Sequence, residues 1–230
     1  MSNKKKIFIL LGVVISLIIL TASGSFAAGK KRIILIDPAH GGKEQGVKLT
    51  GDVYEKNITL AVALAVKKEL AGENNIEIIL TRDSDKTMDP EERKKIIEKV
   101  NPDFFISLHV NGGFGKDASG FELYYPTFAE EMSAEGKAAK DSKAQLRNKC
   151  QNDSLKMAKV VQDNLGSLFP RKGRGLRKAD SPVTENLLVP ALSVEMGFAT
   201  NSEDKKKLLS VKTQTDIAKS LAKSVKTFFR

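Results

Sequence analysis

The 230-residue chain contains two histidines, His40 and His109. Both follow a short apolar run and precede glycines. Ile33-Ile34-Leu35-Ile36 leads through Asp37-Pro38-Ala39 into His40, Gly41 and Gly42. Phe104-Phe105-Ile106-Ser107-Leu108 leads into His109, with Asn111, Gly112 and Gly113 just beyond. Each run reads as a buried strand that ends in a loop of little side-chain bulk. In α/β proteins the loops at the carboxyl ends of such strands carry the chemistry. Neutral imidazole is a common metal ligand, so the paired setting points to a metal site, with two satisfied turn histidines as the alternative. A zinc site needs a third ligand.

Elements that would position such a ligand follow in order. The loop from Gly41 to Tyr54 carries Gly46 and Gly51 and no apolar run. A helix then starts at Glu55, with Ile58, Ala61, Val62 and Ala65 as its sheet-facing stripe and Gly72 as its stop. Glu55 shares that stripe. Its inward carboxylate serves either the N-terminal amides of its own helix or a metal. Ile76–Leu80 reads as a strand. Asp89-Pro90-Glu91-Glu92 opens a helix that Asn101-Pro102 closes. Gly120 to Tyr125 and Ala191 to Met196 are further strands. Glu195 lies inside the last of them, at a strand tip or at a cost. Leu155 to Leu168 and the C-terminal segment with Ile217, Leu221, Val225 and Phe228 read as helices. Asn201 to Asp204 caps a shorter one.

Between these elements, Thr127 to Asn152 is rich in Glu, Lys, Ala and Ser. It is expected to be a solvated helical or mobile insertion that adds nothing to the sheet. Arg171 to Lys178, RKGRGLRK, is expected to be a solvated loop or a rim that attracts an anionic substrate.

The N-terminus reads as a secretory signal peptide over residues 1–28, with the mature domain at 29–230. Lys4-Lys5-Lys6 is followed by an apolar region of 14 residues, Ile7 to Leu20, and then by small residues. An uncleaved signal anchor is the alternative, and the only membrane contact expected. The net charge of +10 becomes +7 without those three lysines. A basic exported protein is drawn to anionic wall polymers and head groups. Few aromatics and no nucleic-acid motif argue against nucleic acid as a partner. The single cysteine, Cys150, excludes an intrachain disulfide and lies far from the leader.

Ile36-Asp37-Pro38-Ala39-His40-Gly41-Gly42, Glu55-Lys56-Asn57, Ser107-Leu108-His109-Val110-Asn111 and Val194-Glu195-Met196-Gly197-Phe198 with Asn201 together resemble the zinc-dependent N-acetylmuramoyl-L-alanine amidases. The resemblance runs from about Arg32 to the C-terminus. It departs at Ala39, where the family has Gly, and at Ala199-Thr200. It implies a single α/β domain with a mostly parallel sheet of about six strands and helices on both faces. It implies Zn2+ held by His40, Glu55 and His109, with Glu195 as the catalytic acid. The bond cut is then the amide between muramic acid and L-alanine in peptidoglycan. Asn111 and Asp37 orient ligands or substrate, or simply cap turns, and Arg82 is structural. A helical insertion at 127–152 can cover such a site until an activator protein displaces it. The competing activities are a zinc carboxypeptidase or endopeptidase on stem peptides and a non-catalytic wall-binding module. Secretion to the periplasm or wall is expected.

Overall fold

A computed structural model of the chain describes residues 30–113, 115, 117–127, 137–169, 175–179, 181–184 and 187–230. The expected leader therefore lies outside the described residues. No helix among them is long and apolar enough to cross a membrane.

Four strands carry the apolar runs: β1 (Arg32–Pro38), β4 (Ile76–Leu80), β5 (Phe104–Asn111) and β8 (Ala191–Phe198). They lie side by side and parallel. β6 (Glu122–Tyr125) runs antiparallel to β8, and β7 (Leu176–Lys178) pairs parallel with β6 at the edge. The six-stranded order is β4-β1-β5-β8-β6-β7. The α/β architecture is the one expected. Two short strands, β2 (Lys48–Thr50) and β3 (Val53–Tyr54), form a hairpin in the loop after His40.

Alternation along the strands divides the core. Ile34, Ile36, Phe104, Ile106, Leu108, Leu192 and Val194 face three helices: α1 (Glu55–Glu69), α3 (Lys137–Gly166) and α5 (Val211–Phe228). The opposite face presents Leu35, Phe105 and Ala191 to α2 (Pro90–Val100), which contributes Ile96, Ile97 and Val100. α1 rotates its buried face from the expected stripe. Ile58 and Val62 are buried as expected, but Val66 and Leu70 complete the face while Ala61 and Ala65 lie at its margin. Burying the larger side chains removes more apolar area from water.

α2 begins with the expected cap. Asp89 Oδ1 accepts from the Glu92 amide at 2.7 Å, and Glu92 Oε2 accepts from the Asp89 amide at 3.0 Å. Asn201 caps α4 (Ser202–Leu208) through the amides of Glu203 and Asp204. α3 starts at Lys137 and runs for 30 residues, so the later part of the expected helical insertion and the helix expected from Leu155 are one element. Asp141 to Lys149 are exposed or half-buried, Cys150 is buried, and Met157, Ala158, Val161 and Leu165 are buried after it. The last three residues of the basic segment are β7 rather than loop.

Candidate metal centre

The sheet face covered by α2 changes character along the strands. Leu35, Phe105 and Ala191 are apolar and packed. Two residues on, Asp37 pairs with Ser107 and Ser107 with Ser193. Two further on, His109 pairs with Glu195, and Glu195 pairs with Glu122 of β6. Register therefore sets His109, Glu195 and Glu122 in one row, past the end of the apolar patch.

His40 sits in the turn after β1 with φ of +64°, a left-handed conformation that costs a histidine roughly 1–2 kcal/mol. Two buried arginines hold that turn. Arg93 Nη2 donates to the His40 carbonyl at 2.8 Å. Arg82 Nε donates to the Pro38 carbonyl at 2.8 Å, and its Nη2 donates to the Ala39 carbonyl at 3.1 Å. Arg82 thus has the structural role expected of it. Arg93 also forms an ion pair with Asp37, which is buried.

Glu55 opens α1 and is 2 % exposed. Its carboxylate does not cap its own helix, where Asn57 Oδ1 accepts from the Tyr54 amide instead. It accepts from the amides of Val47 at 3.0 Å and Val110 at 2.9 Å. Its two oxygens then face the two imidazoles: Oε2 lies 3.1 Å from His40 Nε2 and Oε1 lies 3.2 Å from His109 Nδ1. One donor atom from each of the three residues lies within 4.8 Å of the others. The rings themselves stand 5.8 Å apart, edge to face.

The charges are matched. Burial pushes the Glu55 carboxyl up, but the hydrogen bonds with His109, His40 and the Val110 amide bring it down to about 2. The hydrogen bond to Glu55 raises His40 against the effect of burial. Burial lowers His109, and Glu55 and the other nearby carboxylates more than offset it. Glu44 Oε1 comes within 3.1 Å of His40 Nδ1 but is not aligned for a hydrogen bond.

Glu195 differs from Glu55. Its Oε2 is buried with no hydrogen-bond partner among the described residues. Burial, with Glu55 and Glu122 nearby, pushes it up to about 7 against the pull of His109. Such a carboxyl exchanges a proton near neutral pH. Sequence reasoning does not single out Glu122. It is buried, and its Oε2 accepts from Asn111 Nδ2 at 2.7 Å and Tyr124 Oη at 2.9 Å. Alternation of Phe121 and Leu123 against Glu122 and Tyr124 is the signal that could find it. Asn111 serves that network and also caps a turn, its Oδ1 accepting from the Gly113 amide at 2.7 Å.

A family model described as N-acetylmuramoyl-L-alanine amidase matches residues 34–227. An amidase of that name from Bacillus licheniformis, CwlM, is 31 % identical over 179 residues, covering 77 % of this chain and 60 % of the relative. The uncharacterized protein YqiI of Bacillus subtilis is 29 % identical over 198 residues, covering 86 % of this chain and 85 % of the relative. The solved amidase AmiC2 of Nostoc punctiforme superposes with a TM-score of 0.71 at 28 % identity, covering 87 % of this chain and 99 % of that one.

Proposed function

The chain belongs to the N-acetylmuramoyl-L-alanine amidase family, and from that membership and the site geometry we propose that it is a zinc hydrolase of peptidoglycan. The bond cut is the amide joining the lactyl group of N-acetylmuramic acid to L-alanine. The observation that carries the reading is the convergence of His40, Glu55 and His109 within 4.8 Å. Two imidazoles and a carboxylate are a donor set of catalytic zinc, with one position left for water or substrate. The three donors fit the ion: one buried carboxylate already spans both rings, held by two backbone amides. Zinc at this place supplies Lewis acidity to the attacking water and the scissile carbonyl.

The remaining chemistry belongs to side chains. Glu195 takes the water's proton on a carboxylate oxygen and delivers it to the departing amine of L-alanine. A carboxyl near 7 is suited to both transfers. Glu55 stays ionised throughout, since it sits at about 2. Arg82 and Arg93 fix the His40 turn, so little reorganisation is needed on binding.

The substrate lies outside the cytoplasmic membrane, so this reading includes export, with residues 1–28 as the leader and the periplasm or wall as the destination. The net charge of +7 that remains without the three leader lysines favours contact with anionic wall polymers. Restraint of the site by the 127–152 segment, released by an activator protein, belongs to the same proposal; the alternative is a charged surface helix with no regulatory role. Residues 128–136, including Glu130, Glu131 and Glu135, lie outside the described residues.

The test pairs metal analysis with product analysis. Purified protein should hold one zinc, and His40→Ala and His109→Ala should each lose nearly all of it. Digestion of purified wall should release intact stem peptides with a new L-alanine amino terminus. Shortened stems would identify a peptidase, and binding without release a wall-binding module.

A further inference from the structure

The polar sheet face that carries Glu195 continues past the candidate metal centre. Glu195 pairs with Glu122 on β6, and Tyr124 lies two residues along the same face. Arg177 of β7 is the register partner of Tyr124, so its side chain shares that face. This part of the sheet is open: Ser193, Glu195 and Tyr124 are half-buried, and Arg177 is exposed. The arginine is lightly held. Its Nη2 stands 3.9 Å from Glu122 Oε1, beyond hydrogen-bond distance, with the side chain 46 % exposed. It makes no hydrogen bond to another described residue. Glu122 Oε2 takes its hydrogens from Asn111 and Tyr124 instead. The N–H fork of the guanidinium is therefore unused, and that fork matches a carboxylate.

We propose that Arg177 is a specificity residue that receives a carboxylate of the departing stem peptide, the one on its second residue. The proposal rests on the amidase reading above. That second residue is a glutamate linked onward through its side-chain carboxyl, so its α-carboxyl remains as a carboxylate or, in amidated walls, a carboxamide. An extended peptide advances ~3.3 Å per residue, which puts this group roughly 6 Å from the scissile nitrogen. Neighbouring strands lie ~4.8 Å apart, so a guanidinium beside Glu122 stands roughly 5–10 Å from Glu195, and the two spans agree. Charge favours the peptide over the glycan in this direction. The glycan offers hydroxyl and acetamide groups, whereas the peptide is anionic. The row of Glu195 and Glu122 would by itself repel such a peptide, and Arg177 places the opposite charge at the end of that row.

The experiment compares two synthetic muropeptides that differ only in a carboxylate or a carboxamide on the second stem residue. Wild-type protein should cleave the carboxylate form with a kcat/KM roughly 10-fold higher, the scale of one hydrogen-bonded charge contact. Arg177→Gln should bring the two substrates within about twofold of each other, and Arg177→Lys should fall between. Loss of the Glu122 contact acts on both substrates alike, so the ratio isolates the contact to the ligand. The two released stem peptides give a second readout, Kd from 1H–15N chemical-shift titration of the purified protein, and the same preference should appear there. A preference in Arg177→Gln equal to that of wild type overturns the proposal. So does a wild-type protein that treats the two forms alike, or that fails to bind the carboxylate peptide. Cleavage of neither substrate by wild-type protein strikes the amidase reading instead, and the titration still decides whether Arg177 receives the carboxylate.

Discussion

Gly46 packs against Glu55 so closely that a Cβ at position 46 would fall 2.6 Å from Glu55 Oε2. The same atom would lie 2.7 Å from His40 Cδ2, and the backbone there has φ of +68°. The glycine of this loop is thus the outer wall of the candidate metal centre.

Gly46→Ala should displace the carboxylate and the ring together. We expect near-complete loss of zinc by metal analysis. Gly51→Ala is the control, since Gly51 has a positive φ of +45° but nothing within 4 Å of a Cβ. It should cost about 1 kcal/mol of stability from backbone strain and keep its zinc. Equal zinc content in the two variants would remove the steric argument.

Glu195→Gln should keep the metal and lose the reaction. The amide has the same shape but cannot take a proton from water. Turnover on wall fragments should fall roughly 10²–10⁴-fold, with zinc still stoichiometric. Near-normal turnover would assign the proton transfers to another group.

The same variant should be more stable than wild type in metal-free protein. Glu195 has its proton held up to about 7 in the fold, above the ordinary carboxyl value of 4.5. The folded state therefore binds more protons than the unfolded chain between those values. Stability from this group falls as pH rises through that window, and the penalty is complete above about 7. Glutamine has no charge to bury, so Glu195→Gln should gain up to ~3 kcal/mol at pH 8. The gain should shrink toward zero at pH 4, as urea melts at the two pH values would report. A gain independent of pH would mean that packing, rather than charge, separates the two proteins.

Replacing Ala129 to Lys149 with a short Gly/Ser linker should leave the fold intact. Among the described side chains of α3, deep burial begins at Cys150 and continues through Met157, Val161 and Leu165. If the segment restrains the site, turnover on soluble wall fragments rises in the variant. Unchanged or lower turnover in a folded variant rules restraint out.

The parts of this fold that were legible in sequence are those whose side chains enter the core. The runs ending at His40 and His109 are apolar because both sheet faces are covered, and the cap at Asp89 is written in local chemistry. β7 was hidden by the physics of edges. Arg177 and Lys178 read as loop, yet charge is what keeps a short edge strand from pairing with other chains. The first turns of α3 carry only alanines and Leu146 among their polar residues, so no apolar stripe joins the expected insertion to the helix at Leu155. The row from His109 through Glu195 to Glu122 depends on the register of β5 and β6 against β8, which is far from both in the chain. Alternation gives each residue a face, but not its neighbour.

α2 supplies no donor to the candidate metal centre, yet it holds one of them. Arg93 ties the helix to Asp37 and to the His40 carbonyl, and only Ile96, Ile97 and Val100 pack it against the sheet. Opening of α2 therefore unfastens the turn that keeps His40 in its left-handed conformation, and the two segments share part of one local opening free energy. Linkage runs the other way as well. A ligand held by His40 suppresses that opening in proportion to RT ln(1 + [L]/Kd), so occupancy of the site slows amide exchange in a helix that never touches it.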